Sequence, residues 1–371
     1  LAAVVGAADG SGVVADRGVG VVPWTPVMRA LGEYAAAPEF AQWAVVGAPP
    51  GLGAEVLVAG LGAVLDAHAM LRARVGERFT LVVGEPGSVK VDALVTRVDA
   101  AAGDLDEVAG RAAREAVGRL DPAAGVMVQA VWVDAGPGCV GRLVLVVHHL
   151  VVDGVSWRVL LPDLQSACEA AVDGRTPELT PVATSFKQWA TLLTDQATTD
   201  SRVSELEHWA DELGEAQPPL GTSEFDPRRD TVSTLVHRTW TVPPTRAHTL
   251  VAETPALFHC GVHEVLLAAL AGAVARWRPQ FAGGVLVEVE GHGRGPVTGT
   301  DLSRTVGWFT SSHPVRLDVT GVDLDEVPDG GSAAGLLLKA VKEQVRSVPG
   351  GDALGHGLLR YLNPRTGAVL S

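Results

Sequence analysis

Cysteine is scarce: three residues, Cys139, Cys168 and Cys260, in a chain of 371. They are too few and too scattered for a disulfide framework or a zinc knuckle, and they fit a reducing cytoplasm. Basic residues are outnumbered, with 29 Lys and Arg against 43 Asp and Glu and a net charge of −14. That balance argues against a nucleic-acid backbone or an anionic membrane as partner, though a local basic patch for a phosphate-bearing partner stays open. Long uncharged apolar runs are also missing; the best, around Val262–Ala275, is interrupted by His263 and Glu264 and does not span a bilayer. No basic segment leads into an apolar core near the start, so no signal peptide is expected, and a first residue of Leu1 reads as a piece cut from a longer chain. What is present is 47% hydrophobic residues, enough for a sizeable core. The length implies two domains or two lobes of one fold. Abundant Ala, Val, Gly and Arg suggest a bacterial source.

The chain is organised around Gly141–Trp157, GRLVLVVHHLVVDGVSW. Leu143–Val147 is short, rich in β-branched residues and without polar alternation, so it predicts a strand buried on both faces. Strand side chains alternate, so His148 and His149 cannot do the same job; one faces a cleft and the other packs beneath it. Asp153-Gly154 is turn chemistry, and Ser156 is a good N-cap for a helix from Trp157. An imidazole at a buried strand end, beside a carboxylate and a helix start, suits general acid–base chemistry. A histidine on a strand is also an ordinary core residue, so this stretch alone does not decide.

Along the chain, residues 1–20 are expected to be a linker, and Thr25-Pro26 to open a helix carrying Met28, Leu31 and Tyr34. Strands are predicted at Trp43–Val46, Phe79–Val83 paired with Leu94–Val98, Val126–Val133, Thr239–Val242, Val285–Glu290 and Val315–Val319. Helices are predicted at Val56–Ala69, Leu105–Leu120, from Trp157 to Asp173-Gly174 with an irregular turn at Pro162, from Ser185 through Trp209, at Val262–Arg278 and at Gly335–Val345. In the Trp157 helix, Leu161, Leu164, Cys168 and Ala171 are expected to face the core. Asp211–Ser233, proline-bearing and acidic, marks the loosest part of the lobe junction.

A second constellation follows Val285–Glu290, where Leu286, Glu288 and Glu290 share one strand face. Two glutamates on such a face are usually solvated. Here, however, Gly291-His292-Gly293-Arg294 is a glycine-punctuated loop that lets backbone approach a ligand, and Arg304 with Trp308 and Phe309 comes shortly after. A carboxylate at a strand terminus beside such a loop is a plausible base, and composition alone does not choose between Glu288 and Glu290. The loop is no dinucleotide fingerprint, because Pro296 follows where a helix should open. No metal cage is expected, since neighbouring histidines on a strand diverge.

With both stretches in hand, His148-His149-Leu150-Val151-Val152-Asp153-Gly154 resembles the HHxxxDG signature of the condensation superfamily of nonribosomal peptide synthetases. Glu290-Gly291-His292-Gly293-Arg294 and Arg304-Thr305-Val306-Gly307-Trp308-Phe309-Thr310 resemble motifs specific to its epimerisation domains, and Gly154–Arg158 leans the same way. Thr25–Met28, His68–Arg72 and the stretch from Pro349 to Leu362 resemble further family motifs, so the match covers nearly all of residues 21–371. Two departures stand out: Pro162, and the absence through Ser371 of the family's Phe-Asn-Tyr-Leu-Gly motif and closing strands.

The resemblance implies an α/β fold of two chloramphenicol-acetyltransferase-like lobes in a V with a central tunnel. The N-terminal lobe is expected at 21–183 and a C-terminal lobe, truncated at its end, at 184–371. It implies epimerisation at Cα of an aminoacyl or peptidyl thioester borne on the phosphopantetheine of a partner carrier domain, with no cofactor of its own. Neighbouring synthetase domains would be partners, the domain itself monomeric, with no nucleic acid or membrane involved. His149 and Glu290 would transfer protons from opposite sides; His148, Asp153, Gly154, Ser156 and Arg304 would support them, and Trp157, His292, Trp308 and Phe309 would line the tunnel. Helix-start N–H groups after Asp153 would steady the enolate-like oxygen, and Asp153 would pair with Arg304 across the lobe junction. The rivals are a peptide-bond-forming condensation domain, which needs His149 but not Glu290, and an inactive carrier-docking module.

Overall fold

In the computed structural model, which describes residues 16–100, 103–215, 217–221, 223–281, 283–295 and 299–371, the strand expected at 143–147 runs over Gly141–His148 (β7). The chain divides into two units: residues up to Ala197 together with His292–Thr310, and Thr198–Gly291 together with Ser311–Ser371.

The first unit carries β1 (Gly20–Pro23), α1 (Pro26–Leu31), β2 (Ala41–Ala48), α2 (Ala54–Ala67), β3 (Ala73–Val75), β4 (Thr80–Val83), β5 (Val95–Asp99), α3 (Leu105–Val117), β6 (Val128–Asp134), β7, α4 (Trp157–Val172) and α5 (Phe186–Gln196). Its main sheet has the order β2-β7-β6-β5, antiparallel except for the parallel β5–β6 pair. Flanked on both sides, β7 is buried along almost its whole length. Val144 and Val146 pack with Val131 and Val133 against the alanine face of α3, Ala109, Ala112, Ala113 and Ala116. The small side chains of α3 let the helix lie close to the sheet. A second sheet, β1-β4-β3, takes up Phe79–Val83: the expected pairing with Leu94–Val98 does not form, and β4 lies between β1 and β3 instead.

Helix α4 departs from expectation twice. It runs unbroken through Pro162, at the loss of one backbone hydrogen bond to the preceding turn. Its buried face is Val159, Leu160, Asp163, Leu164, Ala167 and Ala170; of the expected stripe Leu164 is buried, and Leu161, Cys168 and Ala171 are only half-buried. Cys168 nonetheless packs on α2, where a Cβ on Gly60 would collide with its Sγ. That burial raises the Cys168 thiol to about 11.

The expected linker falls mostly on residues 1–15, outside the described residues. Asp16–Val19, by contrast, is pinned: Ser185 Oγ donates to Asp16 Oδ2 at 2.6 Å and Lys187 Nζ to Val19 O at 2.8 Å. These contacts hold the start of α5 in the first unit, so the division falls at 197/198 rather than 183/184. Nor does one helix run to Trp209; α5 ends at Gln196, and Thr199 starts a new turn by accepting from the Arg202 N–H.

The second unit carries α6 (Asp200–Val203), α7 (Leu206–Leu213), α8 (Pro244–His248), α9 (Thr254–Phe258), α10 (Val262–Trp277), β8 (Val285–Gly291), β9 (Ser311–Leu317), α11 (Gly331–Arg346) and α12 (Leu354–Gly357). Strands β8 and β9 form an antiparallel pair. Val285, Val289, Val315 and Leu317 make a core with Ala268, Ala271 and Ala275 of α10 and Leu337, Leu338 and Val341 of α11. Thr239–Val242 is not a strand: it is exposed and pairs with no other strand among the described residues. Alternation alone does not make a strand without a sheet edge to receive it.

Candidate active site

The strand β7 ends by splitting its two histidines. His148 is fully buried. Its Nε2 lies 2.9 Å from Ala37 O, and its Nδ1 accepts the Leu150 N–H at 3.2 Å. Those partners require a neutral ring protonated on Nε2, and burial pushes its pKa down to about 4. It ties the end of β7 to the turn that follows. His149 is half-buried and turns the other way, its N–H bonded to Phe40 O at 2.8 Å. Its ring stacks on Phe40 with centroids 4.6 Å apart and planes 7° from parallel, and meets Trp308 at 4.7 Å. Nε2 of His149 lies 2.8 Å from Gln42 Nε2, and Gln42 Oε1 accepts from Trp157 Nε1 at 2.8 Å.

Behind this ring lies a buried polar knot. Asp153 Oδ1 accepts from the Ser156 N–H and lies the same 2.7 Å from the Ser156 hydroxyl; Oδ2 accepts the Phe309 N–H at 3.2 Å. The predicted cap is therefore reversed: the Asp153 carboxylate receives the Ser156 N–H, and the Ser156 side chain makes no cap bond. That N–H is consequently already engaged and does not serve an enolate oxygen. Ser156 Oγ also lies 3.0 Å from Gly307 O and accepts the Gly307 N–H at 3.2 Å. Gly307 must be small here, because a Cβ would run into the Phe186 ring.

The arginine on Asp153 is Arg294, not Arg304. Arg294 Nη2 reaches both Asp153 oxygens and Ser156 Oγ, Nη1 donates to Leu302 O and Thr305 O, and the guanidinium lies over the Phe309 ring. Burial lowers its pKa, against the pull of Asp153. Arg304 instead donates to Asp163 on α4, at 2.8 and 2.6 Å, where His68 Nε2 also binds at 2.8 Å. The His68 ring is buried, and desolvation lowers its pKa against the pull of the Asp163 carboxylate. Two arginines of residues 292–310 thus engage two different aspartates of the first unit.

The remaining expected site residues are distributed as follows. Trp308 and Trp157 both stand at His149, the second through Gln42. Phe309 is fully buried against Phe186 and Trp189, so it is interior and lines no tunnel. Its backbone N–H and its ring hold Asp153 and Arg294. His292 is exposed, with Nδ1 accepting the Arg294 N–H at 3.0 Å. Gly154 is exposed, and a side chain there would meet nothing within 4 Å. Glu290 belongs to the second unit, exposed on β8 opposite Ser312. Its neighbour on the same face, Glu288, accepts from Ser312 Oγ at 2.6 Å. Sequence reasoning missed Phe40, Gln42 and the role of Arg294. The signals were a lone amide in β2 and an arginine directly after the glycine loop. Among the described residues no cluster of three or more metal-ligating side chains occurs, and no single helix is long and apolar enough to cross a membrane.

Comparison with known proteins follows the same lines. The family model of the condensation domain matches residues 34–368. A linear gramicidin synthase polypeptide of Brevibacillus parabrevis is 40% identical over 260 residues, covering 70% of this chain and 3% of that protein. Surfactin synthase subunit 1 of Bacillus subtilis is 30% identical over 364 residues, 95% of this chain and 10% of that one. The chain thus spans a small part of the curated relatives it matches. Among solved structures, the epimerization domain from the third module of tyrocidine synthetase B superposes with a TM-score of 0.79 at 23% identity, covering 96% of this chain and 80% of that one. The first condensation domain of the calcium-dependent antibiotic synthetase gives 0.65 at 18%, with 94% and 77% covered. These likenesses show a shared mixed α/β fold.

Proposed function

The chain belongs to the condensation-domain family, and from that premise we propose that it is the epimerisation domain of a nonribosomal peptide synthetase. Its substrate is an aminoacyl or peptidyl thioester, borne on the phosphopantetheine of a partner carrier domain. The observation that carries this reading is the seating of residues 292–310 on the histidine turn, with Trp308 against His149 and Arg294 on Asp153. These residues hold Arg304–Thr310 and the His292–Arg294 end of the other motif that resembles epimerisation domains, and Trp308 among them packs on the His149 ring.

The chemistry asks for little more. A thioester acidifies the Cα–H, and inversion needs a proton taken from one face and one delivered to the other. His149 is proposed as one proton-transfer group and Glu290 as the other. Asp153 is not one of them, because its oxygens are occupied by Arg294, Ser156 and the Phe309 N–H. Its work is architectural. His148, held neutral and buried, supports the turn.

Peptide-bond formation is the second reading, favoured by the condensation-domain match itself; it uses His149 and has no need of Glu290. Incubating the domain with a carrier-tethered aminoacyl thioester in deuterated solvent separates the readings. Deuterium at Cα supports epimerisation, a new amide with an added acceptor supports condensation, and neither product points to carrier docking without chemistry.

A further inference from the structure

The amide of Gln42 is held between an indole and an imidazole, and the hydrogen-bonding capacities of the three groups leave one consistent arrangement. An indole Nε1 can only donate, so the Gln42 atom 2.8 Å from Trp157 Nε1 is the carbonyl oxygen. That assignment points the amide NH2 at His149, 2.8 Å from Nε2. An amide NH2 can only donate, so His149 Nε2 accepts. A neutral imidazole that accepts at Nε2 carries its proton on Nδ1. The ring is packed by Phe40, flat against it, and by Trp308, tilted onto it. The adjacent titratable group, His148, is neutral and turned away.

We propose that Gln42 is a positioning residue, braced by Trp157, that fixes the proton of His149 on Nδ1 and keeps Nε2 as the lone-pair nitrogen ready to take the substrate's proton. This rests on the proton-transfer role proposed above for His149. In the resting chain the Gln42 NH2 occupies that lone pair, so an entering Cα–H must displace a hydrogen bond that water would otherwise supply. Gln42, lying on β2 opposite Val147 of β7, is set by strand register rather than by a loop. Trp157 lies at the start of α4. Strand and helix start together set the tautomer.

The test reads the tautomer directly, by two-bond proton–nitrogen correlation spectra of the intact chain carrying isotopically labelled histidine. The His149 signals are identified by their loss in His149→Ala. In the parent near neutral pH, Nε2 is expected to show the unprotonated signature and Nδ1 the protonated one. In Gln42→Glu a carboxylate oxygen faces Nε2 instead. Nε2 should become protonated and the ring's pKa should rise by about a unit or more. Turnover of Cα exchange near neutral pH should fall on the order of a hundredfold with KM little changed, recovering in part at higher pH. Trp157→Phe, which frees the amide to flip while keeping an aromatic ring in place, is the second variant and should give a mixture of both tautomers. A parent His149 protonated on Nε2, or an unchanged tautomer in both variants, overturns the proposal. A parent that shows the expected tautomer but no Cα exchange upholds the positioning of the proton and refutes instead the epimerase reading.

Discussion

Arg294 and Asp153, 141 residues apart in the chain, form a buried ion pair in which Nη2 lies 3.1 and 3.2 Å from the two carboxylate oxygens. Both partners are almost without solvent contact, so removing either leaves an uncompensated charge. Arg294→Met or Asp153→Asn is expected to cost ~3–5 kcal/mol of stability in chemical denaturation. Arg304→Met should cost less, about 1–3 kcal/mol, because its side chain is 30% exposed and Asp163 keeps His68. In double-mutant cycles, 153 should couple with 294 and not with 304; the reverse result would refute the assignment of partners.

The two histidines of the turn should separate cleanly. His149→Ala is expected to abolish Cα exchange while the denaturation midpoint stays near the parent's. His148→Ala loses the bonds to Ala37 and Leu150 and should cost about 1–3 kcal/mol, retaining exchange wherever the protein is folded. Exchange and denaturation measured on both proteins decide it.

Glu290→Gln keeps shape and removes the base, so it should block exchange from at least one stereoisomer with carrier binding intact. Glu288→Gln is the control, since that carboxylate is engaged by Ser312, and its exchange rate should stay within a few-fold of the parent. If Glu290→Gln interconverts both isomers at the parent rate, the epimerase reading loses its second group.

Acid should unfold the chain before its carboxylates alone would demand. Burial lowers His148 and His356 from 6.5 to about 4. Between those values the unfolded chain binds protons that the folded chain refuses, so stability rises with pH through this window. The contribution is present in full above pH 6.5 and is lost as pH falls toward 4, at about 1.4 kcal/mol per unit of pH for each group. Denaturation midpoints across this range should fall with acid, and His148→Gln should show a shallower slope.

Much of this was legible in the sequence where local chemistry and burial agree. Leu143–Val147 reads as a doubly buried strand because β-branched residues without alternation have few other uses, and the divergence of His148 and His149 follows from strand geometry alone. Partnerships are harder. Nothing in spacing distinguishes Arg294 from Arg304 as the counter-ion of Asp153, because the choice is made by how residues 292–310 fold back. Thr239–Val242 shows the converse: a strand needs a neighbour, and sequence pattern does not supply one. On α4 the hydrophobic spacing found Leu164 and missed Val159, Leu160, Ala167 and Ala170, the remaining apolar residues of the buried face. Gln42 was invisible, since an amide inside a strand gains meaning only from what stands at its two ends.

The way residues 292–310 close over the turn also bears on how the molecule is made. Asp153 and Ser156 find their partners 141 to 156 positions downstream, at Arg294, Gly307 and Phe309. A ribosome delivers the histidine turn long before it delivers those residues, and contacts of such long separation form slowly. The nascent first unit therefore waits with the Asp153 carboxylate held by Ser156 but without its counter-charge until the second unit has largely been synthesised. A fragment ending at 197 would inherit that defect permanently.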